Sequence, residues 1–434
     1  MTDTAGAADA TDGDLPAAPR PSPDVPLRRN SGFRMLWIGQ VLSDTGTNAA
    51  LIAYPLLILA LTHSTAIAGI VGTVRLVAQL ALGLPGGALA DRFDRRLTMI
   101  ACDTIRAAVL GLLVALVLLN LATWPVVLAV SVVDGAANVL FDPSAMAALP
   151  AIVADEQLER AWAATEARTY GASLAGPAIG GLLFGLGRAV PFLGDAISYL
   201  VSAGSVSRIR GRFRPDRTGE RTALWREAAE GVRLVGQNQL LRAVIIQAPL
   251  INFAFTGVIF TITLALRQHG ISAGVIGLAQ AGIAAGGLLG ALAAPRMQGR
   301  LPLSQLVIML TVIATALFAV SALLLPSPLV ALPVAITLLL APTANAALFA
   351  AMLRATPEDM RGRVNNTVIL AATGLAALAP LTGGLLVQHL SGTWALAVFA
   401  AAIGIAAIMS MALPWLRQAE AAAATAESPQ LIAE

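Results

Sequence analysis

The chain has 434 residues, of which 57% are hydrophobic and only 12% charged, a balance too apolar for a soluble globular protein and long enough for about twelve membrane-crossing helices. Its 28 basic residues are all Arg, against 25 acids, for a net charge of +3; the arginines cluster beside apolar runs, so they report orientation in a membrane and argue against a nucleic-acid partner. The lone Cys102 excludes a disulfide framework and any cysteine-based metal site, and a metal centre is not expected.

Residues 1–30 are rich in Ala, Asp, Pro and Gly without apolar periodicity and read as a disordered tail. No cleavable signal sequence is expected, because the first apolar run starts late and is long. Spans 1–6 are expected at 35–61, 66–90, 97–121, 124–148, 169–187 and 189–207, forming a first bundle within 31–207. Residues 208–242 form one long polar loop with nine arginines, whose second half, 223–241, places Leu224, Ala228, Val232 and Val235 at helical spacing and predicts an amphipathic helix under the membrane surface. Spans 7–12 follow at 243–266, 275–294, 302–325, 328–353, 364–388 and 393–416, the second bundle within 243–416, and a tail at 417–434 closes the chain.

With both termini placed in the cytoplasm, 24 of the arginines fall on that side, Arg160 and Arg168 among them as a loop pair after span 4. Arg75 and Arg106 lie within spans, and Arg188 and Arg267 outside, an asymmetry that fixes the orientation expected in a plasma (inner) membrane. The halves also repeat: Gly87-Ala88-Leu89-Ala90 recurs as Gly290-Ala291-Leu292-Ala293, and Pro177-x-x-Gly180-Gly181-Leu182-Leu183 as Pro380-x-x-Gly383-Gly384-Leu385-Leu386, both 203 residues on.

Charges inside a bilayer are costly and mark a pathway or a pair. The list is Asp44, Arg75, Asp103, Arg106, Asp134 and Asp195. Asp44, Arg75 and Asp134 share the midplane by their distance along the spans. Two carboxylates to one guanidinium leave a surplus acid, which favours function over a purely structural bridge. Asp103 and Arg106, three apart on one helix face, read as a local structural pair. In span 5, Gly176-Pro177-Ala178-Ile179-Gly180-Gly181 predicts a bend packed closely on a neighbour.

Between spans 2 and 3 the sequence Gly87-Ala88-Leu89-Ala90-Asp91-Arg92-Phe93-Asp94-Arg95-Arg96 resembles the loop signature of the major facilitator superfamily, Gly-x-Leu-Ala-Asp-Arg-x-Gly-Arg-Arg. Gly87, Leu89, Ala90, Asp91, Arg92, Arg95 and Arg96 match it, and Asp94 replaces a glycine. The resemblance implies an all-α membrane fold of twelve helices in two pseudo-symmetric six-helix bundles, the parallel repeat of that superfamily. It implies that spans 1 and 4 line a central cavity, so that Asp44 and Asp134 reach substrate or proton with Arg75 as partner, Asp44 leading. It implies a conformational latch in which Asp91 faces the start of span 11 near Val364–Thr367 and Arg92 or Arg95 meets Asp142. The span 5 segment resembles the antiporter signature of exporters, with Ala172 in place of its first glycine; Ser131 replaces the span 4 arginine of drug antiporters. Arg34-Met35-Leu36-Trp37, Phe141-Asp142-Pro143-Ser144 and Arg361-Gly362-Arg363-Val364 look like the macrolide-efflux and enterobactin-exporter branch.

The expectation is a secondary active transporter, not an enzyme, that exports a small amphipathic molecule such as a drug, antibiotic or siderophore. It would work by proton antiport with alternating access, as a monomer in the lipid bilayer, with no cofactor beyond the proton gradient. The second half offers Gln247, Asn252, Gln280 and Asn345 but no midspan charge, which suits a lipophilic substrate over the sugar or organic acid of the rival reading, an importer. A membrane-embedded enzyme is disfavoured because no span carries a paired catalytic motif.

Overall fold

The computed structural model describes residues 26–90, 93–209, 232–297 and 301–412. The first half comprises α1 (Ser31–Thr62), α2 (Thr65–Ala90), α3 (Arg95–Leu118), α4 (Trp124–Ile152), α5 (Leu158–Leu186) and α6 (Val190–Ser207). The second comprises α7 (Gln239–Gln268), α8 (Ala273–Met297), α9 (Leu303–Leu324), α10 (Ala331–Arg354), α11 (Arg361–Ala376), α12 (Ala379–His389) and α13 (Gly392–Ala412). No strand occurs among the described residues. Helix starts carry their signals: Asn30, Asp94 and Asn238 each accept from the first free backbone N–H groups of α1, α3 and α7.

Among the described residues ten helical segments are long and apolar enough to cross a membrane, the broken pair α11–α12 counting as one. The others are α5, whose first half carries Glu159, Arg160, Glu166 and Arg168, and α6, with Asp195 in 18 residues. Both are packed among the rest, α6 against α1 and α3, α5 against α1 and α8. The outer surface is apolar, with Leu118, Leu186, Leu323 and Trp394 all well exposed, as a lipid-facing surface requires.

Two boundaries differ from expectation. α5 begins at Leu158, eleven residues before the predicted start at 169, because its polar first half belongs to the helix and not to a loop. Span 11 is broken at 377–378, where α12 restarts with a proline in its first turn. The free N–H of Leu381 there donates to Thr73 Oγ1 of α2 at 3.0 Å, so a residue of the first half caps a helix of the second. Of the predicted amphipathic helix at 223–241, residues 232–237 are helical and the rest up to 231 lies outside the described residues; Asn238 interrupts it and caps α7.

The repeated Pro-x-x-Gly-Gly motif has a geometric cause. A Cβ on Gly180 would strike the Ala49 backbone of α1, and one on Gly383 would strike Thr261 of α7, so the first glycine seats each helix on the opening helix of its own half. The second glycine faces across. Gly181 meets Ala273 and Gly277 of α8, and Gly384 meets Thr65 and Gly69 of α2. The two crossings put glycine against glycine at the end of the bundle remote from the chain termini, where backbones approach closely. Hydrogen bonds from Thr65 to Gly384 O (2.9 Å) and Gln388 Oε1 (2.9 Å from the backbone N–H) join the halves at that same end.

Candidate functional site

Asp134, buried in α4, is the centre of the charge network. Arg106 of α3 donates Nε–H to its Oδ1 at 2.9 Å, and Arg75 of α2 approaches its Oδ2 at 3.1 Å. Two tyrosines brace it: Tyr199 Oη lies 3.4 Å from Oδ1, and Tyr54 Oη 3.5 Å from Oδ2. Their rings lie against the same arginines, with Arg106 4.0 Å from the Tyr199 centroid and Arg75 5.1 Å from that of Tyr54. Thr47 of α1 completes the cluster, 2.8 Å from Tyr199 Oη and 3.2 Å from Arg106 Nη2. Five helices therefore meet on one carboxylate. Gly135 makes room, because a Cβ there would press on the Arg75 and Gln79 side chains.

Asp44 is separate. Its carboxylate pairs with Arg168 Nε of α5 at 2.9 Å, and its side chain is 29% exposed where Arg168 is 9%. Arg75 thus partners Asp134 alone of the two midplane acids. The expected surplus of acid over one guanidinium is corrected accordingly: three arginines serve these two carboxylates. The expected local pair of Asp103 with Arg106 is also not made, because Arg106 is drawn across to Asp134 while Asp103 lies beside Ser202 of α6. Asp103 and Asp195 are fully buried without an ion-pair partner among the described residues.

Of the two partners expected for Asp142, Arg95 does not meet it in this structure and Arg92 lies outside the described residues. Asp142 is exposed and accepts from Asn138 at 2.9 Å on its own helix, whereas Arg95 donates to Ala147 O at 3.0 Å. Arg96 reaches the last carbonyls of α6, Val206 O at 3.3 Å and Ser207 O, where the negative end of the helix dipole favours a cation. Asp91 and Arg92 lie outside the described residues, and Gly87 falls within the last turn of α2. Gly176 and Gly180 seat α5 on Asn48 and Ala49 of α1; Gly181 and the Pro177 carbonyl meet α8 at Gly277. α5 runs unbroken through Pro177.

The second half faces this network without midspan charge. Gln280 donates to Ile259 O at 2.9 Å and Thr263 Oγ1 at 2.8 Å, and Gln247 is buried. Asn252 bonds Ala248 O of its own helix at 2.9 Å, and both it and Asn345 are exposed. Among the described residues no group of His, Cys, Asp and Glu could hold a metal ion.

Arg168, Tyr54, Tyr199 and Thr47 escaped sequence reasoning. The tyrosines were findable, since the chain has only three and two of them, Tyr54 and Tyr199, fall well inside apolar spans.

The family model described as Major Facilitator Superfamily matches residues 36–364. The enterobactin exporter of Citrobacter koseri is 26% identical over 369 residues, 83% of this chain and 86% of that protein. A multidrug efflux pump of Mycobacterium tuberculosis is 26% identical over 410 residues, 91% and 96% respectively. The inward-facing crystal structure of a bacterial homologue of the iron transporter ferroportin superposes with a TM-score of 0.67 at 16% identity, covering 89% of this chain and 98% of that one.

Proposed function

This chain belongs to the Major Facilitator Superfamily and is a multi-pass membrane transporter, and from that premise we propose that it exports small amphipathic molecules by proton antiport. The observation that carries the reading is the asymmetry of charge. A part-exposed acid, Asp44, and a buried clamp on Asp134 belong to one half, while the spans of the other carry amides but no midspan charge among the described residues. An apolar second half with few polar groups suits a lipophilic substrate, and a part-exposed carboxylate suits a neutral or cationic one. The efflux activity in the names of the two relatives supports the outward direction.

Both termini are assigned to the cytoplasm of the cell membrane by the arginine distribution. The joined end is then the outer one, and the arrangement corresponds to an inward-facing state in which substrate enters from the cytoplasm. The pair Asp44–Arg168 is the exchange point: a proton, or the cationic group of a substrate, competes with Arg168 for the carboxylate. The latch of Asp91, Arg92, Arg95 and Asp142 closes the cytoplasmic side in the opposite state, which agrees with Arg95 and Asp142 bonding elsewhere in this one. The unit is a monomer.

The test uses energised everted vesicles challenged with macrolides, cationic dyes and a catecholate siderophore. Accumulation of a lipophilic compound that collapses with an uncoupler is the expected result. Uptake of hydrophilic sugars or organic acids alone would replace the exporter by an importer.

A further inference from the structure

Asp195 of α6 takes no part in the network just described, although it lies beside it. Its side chain is fully buried and its Oδ2 has no hydrogen-bond partner. Two hydroxyls lie near the carboxylate: Ser198 is 3.3 Å from Oδ1, but its single hydrogen is better placed on the Asp195 carbonyl at 2.7 Å, and Tyr199 is within reach but shares its one hydrogen with Asp134 Oδ1 at 3.4 Å. From α1, Gly46 packs so close that a Cβ there would lie 2.5 Å from Oδ1, so the α1 backbone closes that side of the carboxylate. Every charged or titratable group around it is accounted for. Arg106 on α3 is held by Asp134 on α4; Tyr199 on α6 also reaches Asp195 but has a single hydrogen, for which Asp134 competes; Tyr54 on α1 turns its hydroxyl to Asp134; α5 contributes Leu183 beside Gly194.

An ionised carboxylate with no counter-ion and only two hydroxyls whose hydrogens are claimed elsewhere is not sustained in such a site. The alternative to protonation is a cation, and the nearest one is spoken for. We propose that Asp195 is a second proton-binding site, holding its proton in this state, with Arg106 as the cation that its ionised form draws from Asp134. On release the O–H bond breaks, the electron pair stays on the carboxylate and the proton leaves to water as the α1–α6 seam opens. Arg106 then divides between Asp195 and Asp134, loosening the clamp of α2, α3 and α4 to which Arg75 still holds. Loss of one proton is in this way tied to the packing of α6 on α1 and to the state of the central network. This inference rests on the proton-coupled reading above and names a coupling group for it.

The experiment is infrared spectroscopy of the full-length protein in lipid nanodiscs across a pH series, reading the carbonyl stretch of protonated carboxylic acids. At neutral pH, Asp195→Asn should remove one component, Asp195→Glu should shift it, and Asp44→Asn should leave it in place. Asp134→Asn, which frees Arg106 and removes a neighbouring negative charge, should make the component vanish at lower pH than in the unsubstituted protein. A spectrum unchanged by Asp195→Asn would overturn the site, with Asp195→Glu guarding against a folding defect in the Asn variant. A component that Asp134→Asn does not move would overturn the role of Arg106. The readout needs no transport, so failure of export in vesicles with the component present would contradict the exporter reading alone.

Discussion

Arg106 donates to Asp134 across the α3–α4 contact at 2.9 Å and makes no ion pair with Asp103, its neighbour one turn back on the same helix. The consequence is a single carboxylate carrying two buried guanidiniums. Removing it leaves both cations unpaired in a low-dielectric site, whereas removing the part-exposed Asp44 leaves one. Breaking a buried pair by deleting one partner costs about 3–5 kcal/mol. Asp134→Ala is therefore expected to lower the thermal midpoint of the detergent-solubilised protein far more than Asp44→Ala, measured by differential scanning fluorimetry.

The Asp44–Arg168 pair predicts a different phenotype. Asp44→Asn and Arg168→Gln should each insert and fold normally yet reduce pH-gradient-driven export by about tenfold, equivalent to about 1.4 kcal/mol. The charge exchange Asp44→Arg with Arg168→Asp should recover part of that loss. Transport rates at matched protein levels in everted vesicles check it. Full uphill export by Asp44→Asn would move the exchange point to Asp134.

The glycine crossings predict control over which end is open. Gly181→Leu and Gly384→Leu place bulk where Gly277 and Gly69 approach, so the far end should be forced apart; Gly111→Leu, whose Cβ meets nothing, is the control. A cysteine at Thr65 in a Cys102→Ser background should react faster with a membrane-impermeant maleimide in the first two variants than in the control.

The proposed latch at the α2–α3 hairpin predicts a kinetic effect without a folding one. Asp91→Asn should slow turnover in proteoliposomes while leaving the amount of inserted protein intact, since a latch between halves matters only during the cycle. An unchanged rate would remove Asp91 from the mechanism.

Much of this arrangement is legible in the chain itself. Apolar run length located the helices, the 203-residue offset exposed the repeat, and the structure supplies its physical reason: two adjacent glycines, one for the home bundle and one for the other. What sequence spacing misjudged were contacts decided by tertiary approach. Asp103 and Arg106 have the right separation for a helical pair, but the Asp134 carboxylate, braced by two tyrosines, outcompetes a neighbour three residues away. Arg168 was counted among loop arginines because four charges hide the first half of α5 from any hydropathy criterion, and its role depends on α1 lying alongside. The break at 377–378 is similarly invisible, since its free N–H is satisfied by Thr73 from the other half.

The most direct measurement of proton-coupled export is made in proteoliposomes that hold a pH-sensitive dye, with a pH gradient imposed and no other ion gradient. A lipophilic cation should move uphill against the proton flow, and adding it without a gradient should displace protons in the opposite direction; Asp44→Asn should weaken both about tenfold. Downhill flux that is indifferent to pH and moves no protons would contradict the account.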